Sequence, residues 1–438
     1  MKKSSLKNQL LKGAAGSIGI RAYSSLASLF ISIYLARHLG ASDFGLYSFA
    51  ISVIMLIAIP ASLGVPELTV RETAKTQAHS NWALLAGLWF WGSRLITLLS
   101  ISSVLVSIVV CYFLFDIVDK SRLEGVFAGL ILIPIISLIN FKSACIRGLR
   151  HTILGQMPDN IVRTSMFLLF ILVMPIYIGK LSPIKTIYLY IFSSLIALLV
   201  SKLLLNYLKP VELKFVTTPA YATGFWFKAT LPLSLITGLQ IINGYSDVIV
   251  LGLFRENNEV GIYKAVAQLS LMVAFGLQAI NQVLHPHFSR LYSIGEHERL
   301  QKLVSVSARL IFGISLIPVI LLIFKGSNVL SLVYGSYYSL GAGALATLAF
   351  GQLINSSMGS VGALLNMTGH ERYTIRGVTL AAVVNIALNF ILVPIYGMVG
   401  AAVASSISMI IWNLLLRYYV RKLLNIESSG LFHSVLKD

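Results

Sequence analysis

Phe44-Gly45-Leu46-Tyr47 returns 216 residues later as Val260-Gly261-Ile262-Tyr263. Phe170-Ile171-Leu172-Val173-Met174-Pro175-Ile176-Tyr177 returns as Phe390-Ile391-Leu392-Val393-Pro394-Ile395-Tyr396, with the prolines 219 apart. Single apolar strings recur by chance in membrane proteins. Two recurrences at nearly one offset, each at the same ordinal place in its half, point to an internal duplication. Apolar runs of about 20 residues surround both copies, the length a helix needs to cross a hydrocarbon core roughly 30 Å thick. Such runs lie at about 14–36, 44–64, 89–115, 126–146, 161–179, 184–206, 230–253, 260–284, 304–324, 339–361, 375–396 and 400–420. Six spans per half is an even number, so both halves share one orientation and form a parallel repeat. The expected fold is an all-α polytopic membrane protein of about twelve transmembrane helices in two six-helix lobes. The lobes are residues 1–206 and 229–438, and the join, 207–228, is a polar cytoplasmic linker carrying Lys209-Pro210 and Thr218-Pro219.

Composition supports that class. Of 438 residues 57% are hydrophobic and 11% charged, and mean hydropathy is +0.83. A bilayer solvates this much apolar surface directly, whereas a water-soluble chain would have to bury it. The net charge of +18 would suggest nucleic acid in a soluble protein. Here the basic residues crowd into the short loops of one face by roughly three to one, the positive-inside pattern. That bias places both termini in the cytoplasm and gives no reason to expect a nucleic-acid partner. Cys111 and Cys145 fall in apolar stretches, and no Cys/His cluster has metal spacing, so neither a metal site nor a cofactor is expected. The Met1-Lys2-Lys3 start runs into an apolar stretch too long for a signal peptide and interrupted by Arg21, which reads as an uncleaved first helix. The Lys7/Lys12 segment before it is expected on the membrane surface.

Polar residues inside the spans fall on faces. Ser17, Arg21, Ser24, Ser28 and Ser32 of the first span share roughly 80° of arc at helical periodicity. Thr237, Gln240, Gly244 and Asp247 of the seventh do the same, and the 216-residue offset maps 21 onto 237 and 24 onto 240. Lys264, Gln268, Gln278 and Gln282 form a face of the eighth. Small residues often serve only close helix packing. Ionisable groups deep in a span are costly and usually face a bundle interior or a watery cavity. Arg21, roughly 10 Å in from the cytoplasmic end, and Arg94 are therefore candidates for a basic inner cavity. Ser24, Ser28, Thr237, Gln240, Gln268 and Gln278 would offer it hydrogen bonds. Lys142, Lys228 and Arg309 lie at inner span ends, as cavity residues or as interface anchors. Asp247, the one acid read within a span, is either a coupling-ion ligand or the partner of Lys264 or Arg255.

The stretch Ala36-Arg37-His38-Leu39-Gly40-Ala41-Ser42-Asp43-Phe44-Gly45-Leu46-Tyr47, followed by Leu63-Gly64 and Arg71-Glu72-Thr73-Ala74, resembles the opening of Wzx-type polysaccharide-export flippases. These belong to the multidrug/oligosaccharidyl-lipid/polysaccharide exporter superfamily. Arg147-Gly148 and Gly369-His370, after the fourth and tenth spans, extend the likeness. The resemblance implies a MATE-like, V-shaped pair of six-helix bundles in the bacterial inner membrane. It implies transfer of an undecaprenyl-pyrophosphate-linked glycan for O-antigen, capsule or exopolysaccharide synthesis, with membrane lipids, a polysaccharide polymerase and a chain-length regulator as partners. Arg21 sits where such proteins carry a cavity base. Arginine suits a pyrophosphate because it stays charged and offers a bidentate fork, and a bare pyrophosphate cannot cross hydrocarbon.

Two rival readings belong to other classes. A cation-coupled drug exporter of the same superfamily would favour acids in its cavity, whereas the inner membrane charges here are basic. A membrane-embedded polymerase or ligase needs outer loops large enough to hold a site, and the outer loops here are short. No nucleophile/base constellation appears, so the chain reads as a transporter and not an enzyme.

Overall fold

The computed structural model describes residues 6–113 and 119–429, and every regular element among them is helical. The Met1-Lys2-Lys3 start and the last residues expected in the third span lie outside the described residues, as do the side chains of Lys7, Lys12 and Gln282. The helices in chain order are α1 (Leu6–Ser62), α2 (Val65–Ala78), α3 (Trp82–Phe113), α4 (Lys120–Gly129), α5 (Leu132–Gly148), α6 (Thr152–Met157), α7 (Thr164–Val173) and α8 (Pro175–Ile178). They continue as α9 (Pro183–Leu208), α10 (Thr223–Phe254), α11 (Asn257–Ser293), α12 (His297–Tyr334), α13 (Ala342–Ser357), α14 (Val361–Met367) and α15 (Glu371–Leu424).

The chain is a multi-pass membrane protein. Among the described residues nine helices are long and apolar enough to cross a bilayer, ten if the pair Ser336–Ser357 and Val361–Met367, bent by 41°, makes one span. Two of these are far longer than the roughly 20 residues one crossing needs, α1 with 57 and α15 with 54. Each is interrupted once by a glycine with non-helical backbone, Gly40 (φ 79°) and Gly397 (φ 54°). The hydropathy pattern reads each as two spans. The helix breaks between them at a single glycine rather than through a loop, because only glycine takes that backbone without strain.

Several boundaries differ from expectation. The helix of the third span starts at Trp82 and that of the seventh at Thr223. The fifth span, expected over 161–179, occupies Thr152–Tyr177 and contains a turn of π-helix at Pro158–Arg163. Asp159 and Arg163 therefore belong to the same long apolar helix as the expected fifth span.

By internal packing the chain forms two compact units, Met1–Ile31 with Leu46–Tyr245, and Ser32–Gly45 with Ser246–Asp438. In unit 1, the break at Leu63-Gly64 (φ 41° and 65°) ends α1 and sends α2 off as an amphipathic helix, burying Val65, Leu68, Thr69, Glu72, Thr73 and Thr76. Leu68, Leu88 and Trp226 form one of its cores, with Trp91 5.3 Å from Trp226. The Arg71–Ala74 motif serves this packing: Thr73 Oγ1 accepts from Trp89 Nε1 at 3.0 Å, and Arg71 pairs with Glu72 at 3.0 Å.

Unit 2 holds the meeting point of the repeated motif. A Cβ built on Gly45 would lie 1.9 Å from the carbonyl oxygen of Asn257, and one built on Gly261 2.0 Å from that of Ala41. Residues 41 and 45 map onto 257 and 261 at the 216-residue offset, so the contact is reciprocal. The two repeat glycines face one another, each admitting the backbone of the other copy. Near the C-terminus Leu424, Ile426, Ser428 and Ser429 are buried, and Glu427 takes two hydrogen bonds of 2.9 Å from Arg417. Gln301 clamps the same residue, donating to Glu427 O and accepting from Glu427 N, both at 2.8 Å.

Candidate functional site

Unit 1 contains Arg21, Ser24, Ser28, Arg94, Lys142, Lys228, Thr237 and Gln240; unit 2 contains Asp247, Gln268, Gln278 and Arg309. In unit 1, Arg21 and Arg94 are exposed at the surface of the polypeptide, the guanidinium of Arg94 lying 4.0 Å from the centre of the Phe90 ring. Ser24 and Ser28 are half-buried, Lys142 likewise, and Lys228 is exposed. Lys142 lies in electrostatic reach of Lys202. Thr237 turns its hydroxyl back onto Leu233 O at 2.9 Å, as threonines in helices often do, while Gln240 is exposed.

The strongest concentration of charge in unit 1 gathers around Arg147, at the end of α5. It is half-buried and within electrostatic reach of Glu67, Asp159 and Arg21. Three helices converge there, α1 bringing Arg21, α2 bringing Glu67 and the π-turn bringing Asp159. Arg163 pairs with Asp159 at 2.9 Å one turn away and lies 5.4 Å from the centre of the Tyr190 ring. Phe167 meets Tyr190 edge-on at 5.0 Å and lies near-parallel to Tyr47 at 6.4 Å. An Asp–Arg pair of this kind holds a wide turn in register, and π-turns concentrate at functional positions. Glu67, on α2 outside the spans, has its carboxyl raised by burial, which its helix-N-terminal backbone hydrogen bonding and the charge of Arg147 oppose.

Unit 2 organises around Asp247. Its Oδ1 accepts from Asn385 Nδ2 at 3.0 Å and from Asn389 Nδ2 at 2.8 Å; its Oδ2 accepts from Tyr263 Oη at 2.6 Å and from Ser405 Oγ. Ser246 Oγ in turn donates to Asn385 Oδ1 at 2.7 Å. Four neutral donors meet the four lone-pair positions of one carboxylate, and the group is buried. Of the candidate partners on its own side of the chain, Arg255 donates to the carbonyls of Val393, Pro394 and Ile395 at 2.9–3.2 Å. Lys264 and Gln268 are half-buried on α11, and Gln278 and Arg309 are exposed. Asp247 stood out in the sequence, but Asn385, Asn389 and Ser405 did not. The i, i+4 spacing of the two asparagines on one face of a long apolar helix was the available signal.

Residues 10–292 match the family described as Polysaccharide biosynthesis protein. The chain is 24% identical to the "Probable low-salt glycan biosynthesis flippase Agl15" of Haloferax volcanii, over 90% of this chain and 80% of that protein. Among solved structures it resembles an inward-facing multidrug resistance MATE family transporter of the MOP superfamily, with a TM-score of 0.75, 14% identity and coverage of 92% and 94% of the two chains. It also resembles the lipid II flippase MurJ in an inward closed conformation, with a TM-score of 0.72, 15% identity and coverage of 93% and 87%. At such identities the likeness speaks to the fold, which is MATE-like. With the match running through both units, from α1 to the end of α11, the chain belongs to the polysaccharide biosynthesis protein family.

Proposed function

We propose that this protein is a flippase that carries a lipid-linked glycan across the membrane, without chemical change, for polysaccharide assembly. The observation that carries this reading is the charge cluster of exposed Arg21 on α1 with half-buried Arg147 and its acidic neighbours Glu67 and Asp159, in an otherwise apolar unit of a chain of this family. A membrane protein keeps such charges where a polar cargo passes, since buried ionisable groups are otherwise costly. The full-length similarity to a protein named as a glycan biosynthesis flippase agrees with it. The cargo we assign is an undecaprenyl-pyrophosphate-linked oligosaccharide. Its pyrophosphate is held first by Arg21, with Arg94, Lys142, Lys228 and Arg309 along the inner end, while the polyprenyl tail stays in lipid. Ser24, Ser28, Thr237, Gln240, Gln268 and Gln278 exchange hydrogen bonds with sugar hydroxyls as the head group moves. Both termini are cytoplasmic in this reading, and transfer runs from the inner to the outer leaflet of the bacterial inner membrane, toward a polymerase.

Asp247 is the coupling site in the same scheme. A proton or a monovalent cation arriving at the carboxylate displaces one or more of its four donors, and those donors sit on α11 and α15. Ion occupancy thereby changes how α10 is tied to both. The test is transfer of a lipid-linked oligosaccharide in reconstituted vesicles. Wild type should move it, and Arg21→Ala at equal abundance should reduce the rate by at least about tenfold, the loss of one charged hydrogen bond of about 1.5–3 kcal/mol. Arg21→Lys should recover part of it. Wild-type rates from Arg21→Ala would remove that arginine from the path.

A further inference from the structure

Unit 2 contains a second site candidate, whose lining shares no residue with the Asp247 cluster. A cavity of about 600 Å³ opens where the Gly40 break of α1 meets the end of α12, within the range of about 300–1,000 Å³ usual for small-molecule sites. Its walls are the Ala36–Ser42 stretch, Asn258, and Tyr334–Tyr338. The walls are fastened to one another. Arg37 donates Nε to Val333 O at 2.7 Å and Nη2 to Leu332 O, closing the last carbonyls of α12, and Tyr338 Oη donates to Ala36 O at 3.1 Å. Gly40 and Gly335, both with positive φ (79° and 116°), face open space in which a Cβ would meet nothing within 4 Å. The cavity is therefore a held shape and not a gap between loose turns.

The chemistry of the lining is selective. It holds three tyrosines, Ser42, Ser336 and Asn258, no carboxylate, and one cation already committed to two backbone carbonyls. Anionic or cationic ligands would find little charge to pair with, and an acyl chain would leave the amide and hydroxyls unsatisfied. Tyr337 is 51% exposed, an aromatic face presented to solvent beside amide and hydroxyl groups. Tyr334 and Tyr338 are buried with their hydroxyls engaged, so the open aromatic face is that of Tyr337. Such a face edged by neutral donors and acceptors fits a sugar ring, which has apolar C–H faces and a rim of hydroxyls. On the topology argued from the Lys/Arg bias, the cavity lies at the outer end of the helices.

We propose that this cavity binds a neutral sugar unit of the cargo's glycan at the outer face, separately from the pyrophosphate path. The proposal rests on the flippase reading for the identity of its ligand. The test takes full-length protein in nanodiscs. The probe is the glycan freed of lipid and pyrophosphate by mild acid from the same lipid-linked oligosaccharide used in the vesicle assay, with binding read by saturation-transfer-difference NMR. Tyr337→Ala should weaken binding about tenfold, Tyr337→Phe should leave it within about twofold, and Asn258→Ala should weaken it severalfold. Inorganic pyrophosphate in excess should not displace the glycan. Undiminished binding by Tyr337→Ala and Asn258→Ala overturns the proposal, as does displacement by pyrophosphate. Vesicle transfer by the wild type separates the two readings. If it transfers cargo while both variants bind glycan normally, the pocket is wrong and the flippase stands. If it transfers nothing, the flippase reading falls, and a tyrosine-dependent glycan site supports the pocket alone.

Discussion

Replacing Gly45 or Gly261 with alanine should break the contact at which the two sequence repeats meet. An ordinary Cβ contact begins near 3.4 Å, whereas the added carbons would start 1.9 Å from Asn257 O and 2.0 Å from Ala41 O. Relief requires the helix starts to part by about 1.5 Å, and the obstacle is backbone, which no rotamer change can move aside. Extra methyl groups forced into well-packed interiors cost about 1–3 kcal/mol, occasionally more, and here the intruded atom cannot yield, so the upper end is expected. Opposing this is the gain of about 0.5–1 kcal/mol that alanine brings over glycine in a helix. The steric term wins.

Gly19 and Gly313 are the controls, since a Cβ at either meets nothing within 4 Å. Gly19→Ala and Gly313→Ala should melt at or slightly above the wild-type temperature in detergent micelles, while Gly45→Ala and Gly261→Ala should melt several degrees lower. Because the contact is shared, the double variant should lose less than the sum of the two single losses, as residues in contact couple. Wild-type melting for both Gly45→Ala and Gly261→Ala would refute the reciprocal packing and weaken the structural case for the repeat.

Three further outcomes are expected. Asp247→Asn turns an amide toward four donors, and in vesicles it should abolish the response of transport to an imposed proton or sodium gradient; a full response in this variant would rule out coupling through Asp247, and recovery of activity when Asp247→Lys is combined with Lys264→Asp would favour an ion pair instead. Arg163→Ala leaves half-buried Asp159 without its ion-pair partner, a change expected to cost less than the about 3–5 kcal/mol of fully buried pairs, so the folded peak in size-exclusion chromatography should shrink; Asp159→Asn with Arg163→Met should restore it, and failure of that restoration would mean the charges themselves are needed. Burial alone would raise the Glu427 carboxyl, but hydrogen bonds from Arg417 and the Ser429 N–H, with the charges of Arg417 and Arg421, outweigh it and hold it below the usual carboxylate range. A depressed folded value stabilises above the unfolded carboxylate value of about 4.3 and is lost as pH falls through the folded one, so Glu427→Gln should flatten the acid-side decline in melting temperature below about pH 5; an unchanged decline would place the acid sensitivity elsewhere.

The fold was legible because its signals are local or periodic. Apolar length fixes a crossing, and the repeat of Gly45 at Gly261 was visible as letters before it proved to be a contact. The two glycine breaks, Gly40 and Gly397, were not legible as such. Hydropathy shows that a span ends but not that the next begins one residue later. The site was read by half. Arg21 and Asp247 announced themselves by being charged in apolar surroundings. Three of the partners of Asp247, Asn385, Asn389 and Ser405, lie 138–158 residues away on another helix, and asparagine and serine are common enough in spans to carry no signal alone.

Asp159 and Arg163 were missed for a different reason. They stand close to the start of their helix, where charge is cheap and a loop-charge pattern explains any arginine, so a hydropathy reading starts the span at about 161, leaving Asp159 outside it and Arg163 at its edge. What moves them into the membrane helix is a feature with no hydropathy signature. The turn of π-helix over Pro158–Arg163 widens the chain just where proline removes a backbone donor, and an ion pair bridges the widened turn. The price of that pair in an apolar bundle is high enough that a structural role alone would favour its replacement by apolar residues of similar size, which often stabilise. Its presence, with Asp159 within electrostatic reach of Arg147 as Arg21 and Glu67 are, argues that this part of unit 1 works as one charged assembly. That is also why Asp159→Asn with Arg163→Met is the informative variant. Restored folding with lost transport would show that the charges are held for the cargo and not for the fold.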